Sequence, residues 1–309
     1  MILLKLRKYI RSLQNKLSSL NLSVLWVGCA LVFCFGTGCG GGGGENNGPI
    51  PTTTSLPPPK IGTVLYANGF SKDIVGVYTS AALNAEWNSP SWSNGIKESR
   101  VFITNDADSQ RGRSMEIRYP LGAVGPTTGG AQWQLRLGSS YDELYCSYWV
   151  KFPQGFNFVK GGKLPGLAGG AANTGGNKPD GTDGWSGRLM WGPGGKVYQY
   201  VYHPDQPTIY GDEFYWNENG QQFFQPGKWH HIEVRIAMNS PGKKDGIIQG
   251  WYDGVLALNI ANLRFRDVSS FGIDMLYFST FFGGDDSSWA PTKDELVYFD
   301  DFNIAVILH

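Results

Sequence analysis

Short runs of alternating apolar and polar residues recur along most of this chain, and helical periodicity is nearly absent. The runs are rich in β-branched and aromatic residues, and glycine, proline, asparagine and aspartate separate them, which is typical of strands joined by turns. The clearest runs are 114–119, 132–137, 144–151, 187–191, 196–203, 229–238, 247–252, 274–282 and 296–305. So many short strands predict an all-β sandwich or jelly roll.

The stretch 227–258 carries a more specific fold signal. It contains "GWYDG" at 250–254, in which Asp253 and Gly254 form a dipeptide that favours tight hairpin turns. The whole stretch resembles the late strands of concanavalin-type sandwich domains. Lectins, glycosidases and lyases share that architecture, so it indicates a fold and leaves the function open. We therefore expect a single all-β domain with a jelly-roll, concanavalin-like sandwich fold.

The first 39 residues follow a different pattern, which is typical of an export signal. Five basic residues and no acidic residue lie in this segment, and the apolar run Leu22–Phe35 follows the basic region. The run is too short to cross a bilayer comfortably. A basic start, a short apolar middle and small residues at the end predict a secretory signal over 1–39. An uncut membrane anchor is the alternative.

Cys39 ends this segment within "FGTGCGGGGG". The small residues at 37 and 38 before the cysteine resemble the lipobox of bacterial lipoproteins, whose cysteine is acylated and becomes the new N-terminus. Gly36 stands where leucine is usual in that motif. The resemblance implies lipidation at Cys39 and an exported protein, which is either held at the bacterial cell envelope by its lipid or secreted.

Composition divides the remaining chain into a tether and a domain. Residues 40–60 are mainly glycine, asparagine, threonine and proline, which predicts a flexible or extended tether. Residues 61–309 are long enough for one all-β domain. Cys146 is the single cysteine of that domain, so no internal disulfide and no zinc cluster of cysteines can form.

Net charge argues against a nucleic-acid partner. Five of the 26 basic residues lie in the signal segment, which leaves 21 against 26 acidic residues in the rest of the chain. Any anionic ligand must therefore meet a local positive region. We expect membrane contact only through the N-terminal lipid, and a monomer.

Familiar hydrolytic and metal-dependent arrangements are missing from the sequence. A retaining glycosidase needs two carboxylates about 5 Å apart, and the Glu-x-Asp-x-x-Glu cluster of sandwich glucanases does not occur. Asp300 and Asp301 are adjacent, so they face opposite ways on a strand. The four histidines form no ligand triad, and "GWSGR" at 184–188 fails the Gly-x-Ser-x-Gly pattern because residue 188 is arginine. We expect neither a metal nor a cofactor.

The run 196–203, "KVYQYVYH", suggests a working surface. A strand sends alternate side chains to opposite faces. One face therefore carries Lys196, Tyr198, Tyr200 and Tyr202. His203, which looks the most catalytic, belongs to the other face. The tyrosines could also be ordinary strand formers on a half-buried surface.

A basic segment precedes these tyrosines. Between residues 136 and 196 the chain has seven basic and four acidic residues. Ser186 and Arg188 share one face of their predicted strand, and a Pro-Gly-Gly turn at 193–195 predicts a hairpin with the tyrosine strand. The hairpin would bring Ser186 and Arg188 beside Tyr200 and Tyr202.

At these residues the chain resembles polysaccharide lyase family 14, the alginate and polyuronate lyases with a β-jelly-roll fold. The resemblance spans roughly 61–309 and is strongest over 145–303. The family's catalytic set is a lysine in a glycine-rich stretch, a Ser-x-Arg pair and a Tyr-x-Tyr pair a dozen residues after the arginine. Here this set falls on Lys163, Ser186, Arg188, Tyr200 and Tyr202. The resemblance implies metal-independent β-elimination of an acidic polysaccharide, alginate or a related polyuronate.

Elimination requires a base for the C5 proton and positive charge for the enolate that develops at the neighbouring carboxylate. Arg188 would neutralise that carboxylate. Lys163 would add charge or act as the base. Tyr200 or Tyr202 would be the acid or the base, with its ordinary pKa near 10 lowered by the cations. Ser186 would orient a substrate carboxylate or a tyrosine hydroxyl.

Four more residues are candidates for substrate binding. Tyr198 is expected to stack on a sugar ring, and Lys196 shares its strand face. Gln134 and Arg136 lie on the polar face of another strand, which is expected to line the same groove. The rival interpretation is a non-catalytic glycan-binding module of the same fold, and a lyase for glucuronate-containing glycans is a further alternative.

Overall fold

The alternating runs of the sequence form two antiparallel β-sheets in the computed structural model, which describes residues 56–105, 109–110 and 112–309. The predicted all-β sandwich is confirmed. The predicted signal segment 1–39, the lipidation site Cys39 and most of the tether 40–60 lie outside the described residues.

Sixteen strands and a few short helices make up the described chain. The strands are β1 (Ile61–Asn68), β2 (Gly76–Val77), β3 (Ser93–Asn94), β4 (Val101–Asn105), β5 (Arg113–Tyr119), β6 (Ala131–Tyr141), β7 (Glu143–Lys151), β8 (Gly162–Gly170), β9 (Gly184–Trp191), β10 (Val197–Tyr202), β11 (Asp212–Tyr215), β12 (Trp229–Ala237), β13 (Gly246–Tyr252), β14 (Val255–Leu263), β15 (Ile273–Phe282) and β16 (Glu295–Ile307). The α-helices are α1 (Ser80–Glu86) and α2 (Gly125–Thr128), and single 3-10 turns lie at Pro193–Gly195 and Ser287–Trp289. Helices this short leave no periodic signal in a sequence.

The strands divide into a nine-stranded and a seven-stranded sheet. In the nine-stranded sheet the order is β14-β13-β12-β7-β16-β5-β4-β2, and β1 also pairs with β16. The long strand β16 pairs with β5 through Glu295–Phe299 and with β1 through Phe302–Ile307. In the seven-stranded sheet the order is β11-β10-β9-β8-β15-β6-β3.

The two hairpins that the sequence predicts are both present. Tyr252 pairs with Val255 across the Asp253-Gly254 turn, where both turn residues have positive φ as a type I′ turn requires. The second hairpin joins β9 to β10 through the Pro-Gly-Gly turn, and Trp191 pairs with Val197 at its end.

Side chains from the inner faces of the two sheets form the core. Trp185, Leu189 and Trp191 of β9 alternate inward and are almost completely buried. Trp133 and Phe278 stack face to face, with ring centroids 4.0 Å apart and planes 6° apart. Burial of each such side chain contributes roughly 1.5–3 kcal/mol. Because β9 turns these residues inward, it must turn Ser186, Arg188 and Met190 to the opposite face of the sheet.

Cys146 lies in the core with 3% of its surface exposed, as a small buried hydrophobic residue.

No described helix is long and apolar enough to cross a bilayer.

Candidate active site

The outer face of the seven-stranded sheet carries the chemistry-bearing residues in register. Ser186 is paired with Tyr202, Arg188 with Tyr200, and Met190 with Tyr198 across β9 and β10. Lys163 of β8 is paired with Met190 on the other side of β9. The hairpin and its neighbour thus bring Lys163, Arg188, Tyr200 and Tyr202 together.

These residues form the floor of a cleft of about 490 Å³. The cleft is bordered by three loops, 171–183, 203–211 and 283–294, together with α2. Its lining comprises Gly125, Pro126, Lys163, Thr174, Gly175, Arg188, Met190, Tyr198, Tyr200, Tyr202, Tyr210, Glu213, Phe281, Gly283, Gly284, Asp285 and Trp289.

Arg188 is a buried cation with no carboxylate partner among the described residues. Only 1% of its surface is exposed. Its guanidinium donates to Ser279 Oγ at 3.2 Å and to Thr174 Oγ1, and its Nε has no hydrogen-bond partner. Burial lowers the pKa of Arg188, but an arginine keeps its charge in proteins. A buried charge that is held by hydroxyls and by the face of the Tyr277 ring, without a carboxylate from the described chain, is ready to receive an anion from the cleft.

Lys163 is the second cation of the cleft floor. Its Nζ donates to Met190 Sδ and lies 3.8 Å from the centroid of the Tyr200 ring. Burial lowers the pKa of Lys163 well below its usual value, and the charge of Arg188 lowers it further, while Glu213 opposes the shift. Lys163 is therefore far more easily deprotonated than an ordinary lysine.

The hydroxyls of Tyr200 and Tyr202 each accept a backbone hydrogen bond from a bordering loop. Gly211 N donates to Tyr200 Oη and Gly176 N donates to Tyr202 Oη, both at 3.1 Å. The two rings meet edge to face, with centroids 5.5 Å apart. Each oxygen thus accepts an N–H, and a side-chain hydrogen bond also links the hydroxyls of Tyr200 and Tyr202.

The pKa of Tyr200 departs from what the sequence suggested. Neighbouring cations were expected to lower it, but burial raises the pKa of the Tyr200 hydroxyl, and Tyr202 adds to the rise. Arg188 and the Gly211 N–H oppose this without reversing it. Tyr200 is therefore a protonated phenol at neutral pH, which suits a proton donor better than a base.

Ser186 lies beneath the cleft instead of lining it. It is fully buried, and its Oγ donates to Asn173 O at 2.6 Å. Asn173 is adjacent to Thr174, which accepts from Arg188, so Ser186 and Arg188 both hold the loop between β8 and β9. The Ser186 hydroxyl is thus engaged with the backbone of this loop.

The four predicted substrate-binding residues are spread over the sheet. Tyr198 lines the cleft and is 5% exposed, with its ring 5.5 Å from that of Tyr215. Lys196 lies at the strand edge with Nζ 5.0 Å from the Tyr215 ring and does not line the cleft.

Gln134 and Arg136 point to the same sheet face but lie outside the cleft, on β6. Strands β15 and β8 separate β6 from β9. Arg136 donates to Gln134 Oε1 at 3.1 Å and to Asp274 Oδ1 at 3.2 Å. Their polar groups are therefore engaged with one another and with Asp274.

His203 lies on the opposite face from the tyrosines, as alternation predicts, with Nε2 3.3 Å from Asp212 Oδ2. Burial lowers its pKa.

Sequence reasoning missed Thr174, Glu213 and Ser279, because no motif connects them with the catalytic set. Only tertiary contacts bring them to Arg188 and Lys163. In the described part of the chain, no three His, Cys, Asp or Glu side chains are grouped closely enough to hold a metal ion.

The model of the family described as polysaccharide lyase 14 matches residues 107–302. A search of curated proteins gave no match.

Solved structures show the same fold. The marine PL-14 alginate lyase from Aplysia kurodai has 26% identity and a TM-score of 0.67, over 80% of this chain and 100% of that chain. Alginate lyase Aly36B has 24% identity and a TM-score of 0.68, over 81% of this chain and 100% of that one. Alginate lyase vAL-1 from Chlorella virus has 21% identity and a TM-score of 0.62, over 80% and 99%. An Aly36B variant with a lysine and a tyrosine replaced by alanine was solved with an alginate tetrasaccharide.

Proposed function

Because this chain belongs to polysaccharide lyase family 14, we propose that it cleaves a polyuronate, alginate in the first instance, by β-elimination in the cleft described above. Family membership makes the protein a polysaccharide lyase and disfavours the non-catalytic glycan-binding module. The alginate assignment draws on the lyase from Aplysia kurodai and on the alginate oligosaccharide held by the Aly36B variant.

One observation carries the proposal: a buried arginine without a carboxylate partner in the described chain lies on the cleft floor beside a lysine whose pKa is lowered. A protein interior tolerates such charge when a ligand supplies the counter-charge. A uronate carboxylate matches the guanidinium fork of Arg188, which lines the cleft. A neutral glycan would leave the charge of Arg188 without a partner.

The reaction begins with the carboxylate of one uronate unit bound by Arg188. This neutralises the charge that otherwise makes the C5 proton hard to remove, and it stabilises the enolate as charge moves onto the carboxylate oxygens. Lys163, whose pKa is lowered by burial and by Arg188, takes the C5 proton as a neutral amine.

The electron pair of the C5–H bond then forms the C4–C5 double bond, and the bond from C4 to the glycosidic oxygen breaks. That oxygen needs a proton as it leaves. Tyr200 and Tyr202 hold phenolic protons on the same floor, and each hydroxyl accepts a backbone N–H that would stabilise the phenolate left behind. We assign the acid role to this pair.

The test is to mix the purified protein with alginate, polyglucuronate and a neutral glucan, and to follow ultraviolet absorbance and reducing ends together. We expect absorbance from the unsaturated sugar end on at least one polyuronate and none on the glucan. New reducing ends without absorbance would indicate a hydrolase. Binding to polyuronates without either signal would show a binding module and refute the proposal.

A further inference from the structure

The cleft holds two acidic residues beside its two cations. Glu213 and Asp285 line it together with Lys163 and Arg188, so acidic residues are as numerous in the lining as basic ones. A cleft for a polyanion has no need of carboxylates at its wall, because they repel every uronate unit that approaches them. Glu213 therefore calls for an explanation.

Glu213 is held in place by the sheet. It lies on β11 directly opposite Tyr200 of β10, one strand further from Lys163 than the tyrosines. Its Oε2 accepts a hydrogen bond from the Tyr215 hydroxyl at 2.8 Å, and it forms no ion pair with any residue of the described chain. The carboxylate is exposed to the cleft and acts on Lys163 electrostatically, opposing the shift that Arg188 and burial cause.

Among the strands of the floor, the two basic residues and Glu213 therefore lie on opposite sides, while Asp285 lies in the loop after β15. Arg188 and Lys163 lie on β9 and β8, and Glu213 lies on β11 at the sheet edge. A sugar whose carboxylate points towards β8 and β9 gains attraction. The same sugar with its carboxylate turned towards β11 meets like charge, which is costly at contact distance.

On the basis of the proposed lyase function, we propose that Glu213 sets the uronate preference of the enzyme. Its charge excludes substrate carboxylates from the β11 side of the cleft. Mannuronate and guluronate are epimers at C5, the carbon that bears the carboxylate. In a fixed chain direction they present that carboxylate differently, so repulsion from one wall discriminates between them. This is selection against the wrong substrate rather than attraction of the right one.

The experiment compares kcat/KM on poly-mannuronate and poly-guluronate for the wild-type protein and for Glu213→Gln, which keeps the shape and an oxygen that accepts from the Tyr215 hydroxyl while removing the charge. We expect the ratio of the two kcat/KM values to move towards unity by about fivefold or more, mainly through faster turnover of the disfavoured polymer. Glu213→Asp, which retains the charge, should keep the preference for the same polymer.

Glu218→Gln is the matched control, since Glu218 is an exposed glutamate three residues beyond β11 and outside the cleft. For this variant, the ratio of kcat/KM on poly-mannuronate to kcat/KM on poly-guluronate should equal the wild-type ratio. A Glu213→Gln ratio within about twofold of the wild-type ratio would overturn this inference while leaving the lyase function intact. Absence of unsaturated product from the wild type on every polyuronate would instead refute the proposed function.

Discussion

Lys163 and Arg188 are both basic residues of the same cleft, but they differ in how readily they lose a proton. Arg188 cannot lose its proton, whereas burial and Arg188 together lower the pKa of Lys163. The arginine suits the static task of holding a carboxylate. The lysine suits the removal of a proton, a role that the sequence left open between base and point charge.

Replacing Lys163 by arginine separates these two roles. Lys163→Arg keeps the positive charge but removes the titrating amine, so we expect kcat to fall by roughly 100-fold or more. In the wild type, kcat/KM should rise with pH through the lowered pKa of Lys163, because only the neutral amine accepts a proton. The measurement is kcat/KM on alginate from pH 5 to 9. Near-normal activity in Lys163→Arg would show that Lys163 supplies charge alone.

Tyr202 offers a test of the acid. Tyr202→Phe keeps the buried ring and removes the hydroxyl that accepts from Gly176 N. We expect turnover to fall by about 100-fold, with the free energy of unfolding lowered by no more than roughly 1.5 kcal/mol for one lost hydrogen bond. Tyr298→Phe on the other sheet is the control. Unchanged turnover would remove Tyr202 from the mechanism and leave Tyr200.

At the scale of elements, the loop between β8 and β9 is tied to the sheet by the candidate site itself. Ser186 donates to Asn173 O, Arg188 donates to Thr174, and Gly176 N donates to Tyr202. Gly176 has φ of +86°, a conformation that L side chains adopt rarely. One wall of the cleft is thus positioned by residues that the sequence marked for chemistry.

Ser186→Ala tests whether that serine acts on the loop or on the substrate. We expect the unfolding free energy to fall by about 1–3 kcal/mol, because the buried Asn173 carbonyl loses its donor, and kcat/KM to fall as the wall loosens. Thermal unfolding and kinetics are measured on the same preparation. A loss of activity at unchanged stability would instead support the substrate-orienting role that the sequence suggested.

A contact between the loop after β1 and helix α1 makes the free energy of unfolding depend on pH. Asp73, in the loop after β1, faces Glu86 of α1, and burial, with Glu86 adding to it, raises the pKa of Asp73 to about 7. The native carboxyl therefore holds its proton up to that pH, while the unfolded chain releases it near 3.8. The stability that Asp73 contributes is full below pH 3.8 and is lost as pH rises to about 7.

Asp73→Asn should remove this loss, because an amide does not titrate. We expect the Tm of the variant to decline less than that of the wild type between pH 4 and 8, with the gap in its favour widest above pH 7. Asp285→Asn, an exposed aspartate in the loop after β15, serves as the control. Parallel Tm curves for Asp73→Asn and the wild type would contradict the assignment.

At the scale of the whole molecule, the two sheets have separate tasks. The seven-stranded sheet carries the cleft, while the N-terminal end of the described chain joins the other sheet. There β1 pairs with β16, and Leu56 O accepts from Trp251 Nε1 of β13. Residues 56–60, the start of the described chain, therefore lie beside the sheet that does not bear the cleft.

The lipid anchor at Cys39, which lies outside the described residues, is a proposal drawn from the sequence. Expressed in a bacterium, the wild-type chain should fractionate with membranes and incorporate a labelled fatty acid. Cys39→Ser should lose both properties, because acylation requires the thiol. Cys34→Ser, five residues earlier in the predicted signal segment, should behave like the wild type. Membrane association that survives Cys39→Ser would favour the uncut anchor instead.

Much of the fold was predictable because it depends on local periodicity. Alternation identified nine of the sixteen strands and the outward face of Tyr198, Tyr200 and Tyr202, and turn residues identified both hairpins. The resemblance to polysaccharide lyase family 14, which the family model confirms, supplied Lys163, which is 23 residues before Ser186 and on a different strand.

Strand order could not be read from the sequence, since pairing between distant strands leaves no local signal. The expectation that Gln134 and Arg136 share the groove did not allow for the two strands, β15 and β8, that separate them from β9. Alternation places a side chain on a face but not at a position across the sheet.

The sequence by itself determined which side chains share a face, because that follows from the two-residue repeat of a strand. It also determined the family, because the residue types of the motifs and the spacing between them can be read directly from the sequence. Only the tertiary structure decided that Arg188 is buried without a carboxylate partner, that burial raises the pKa of Tyr200, and that Glu213 faces the cations. Burial and electrostatic neighbours arise from strands that are distant in sequence and meet only when the sheets assemble.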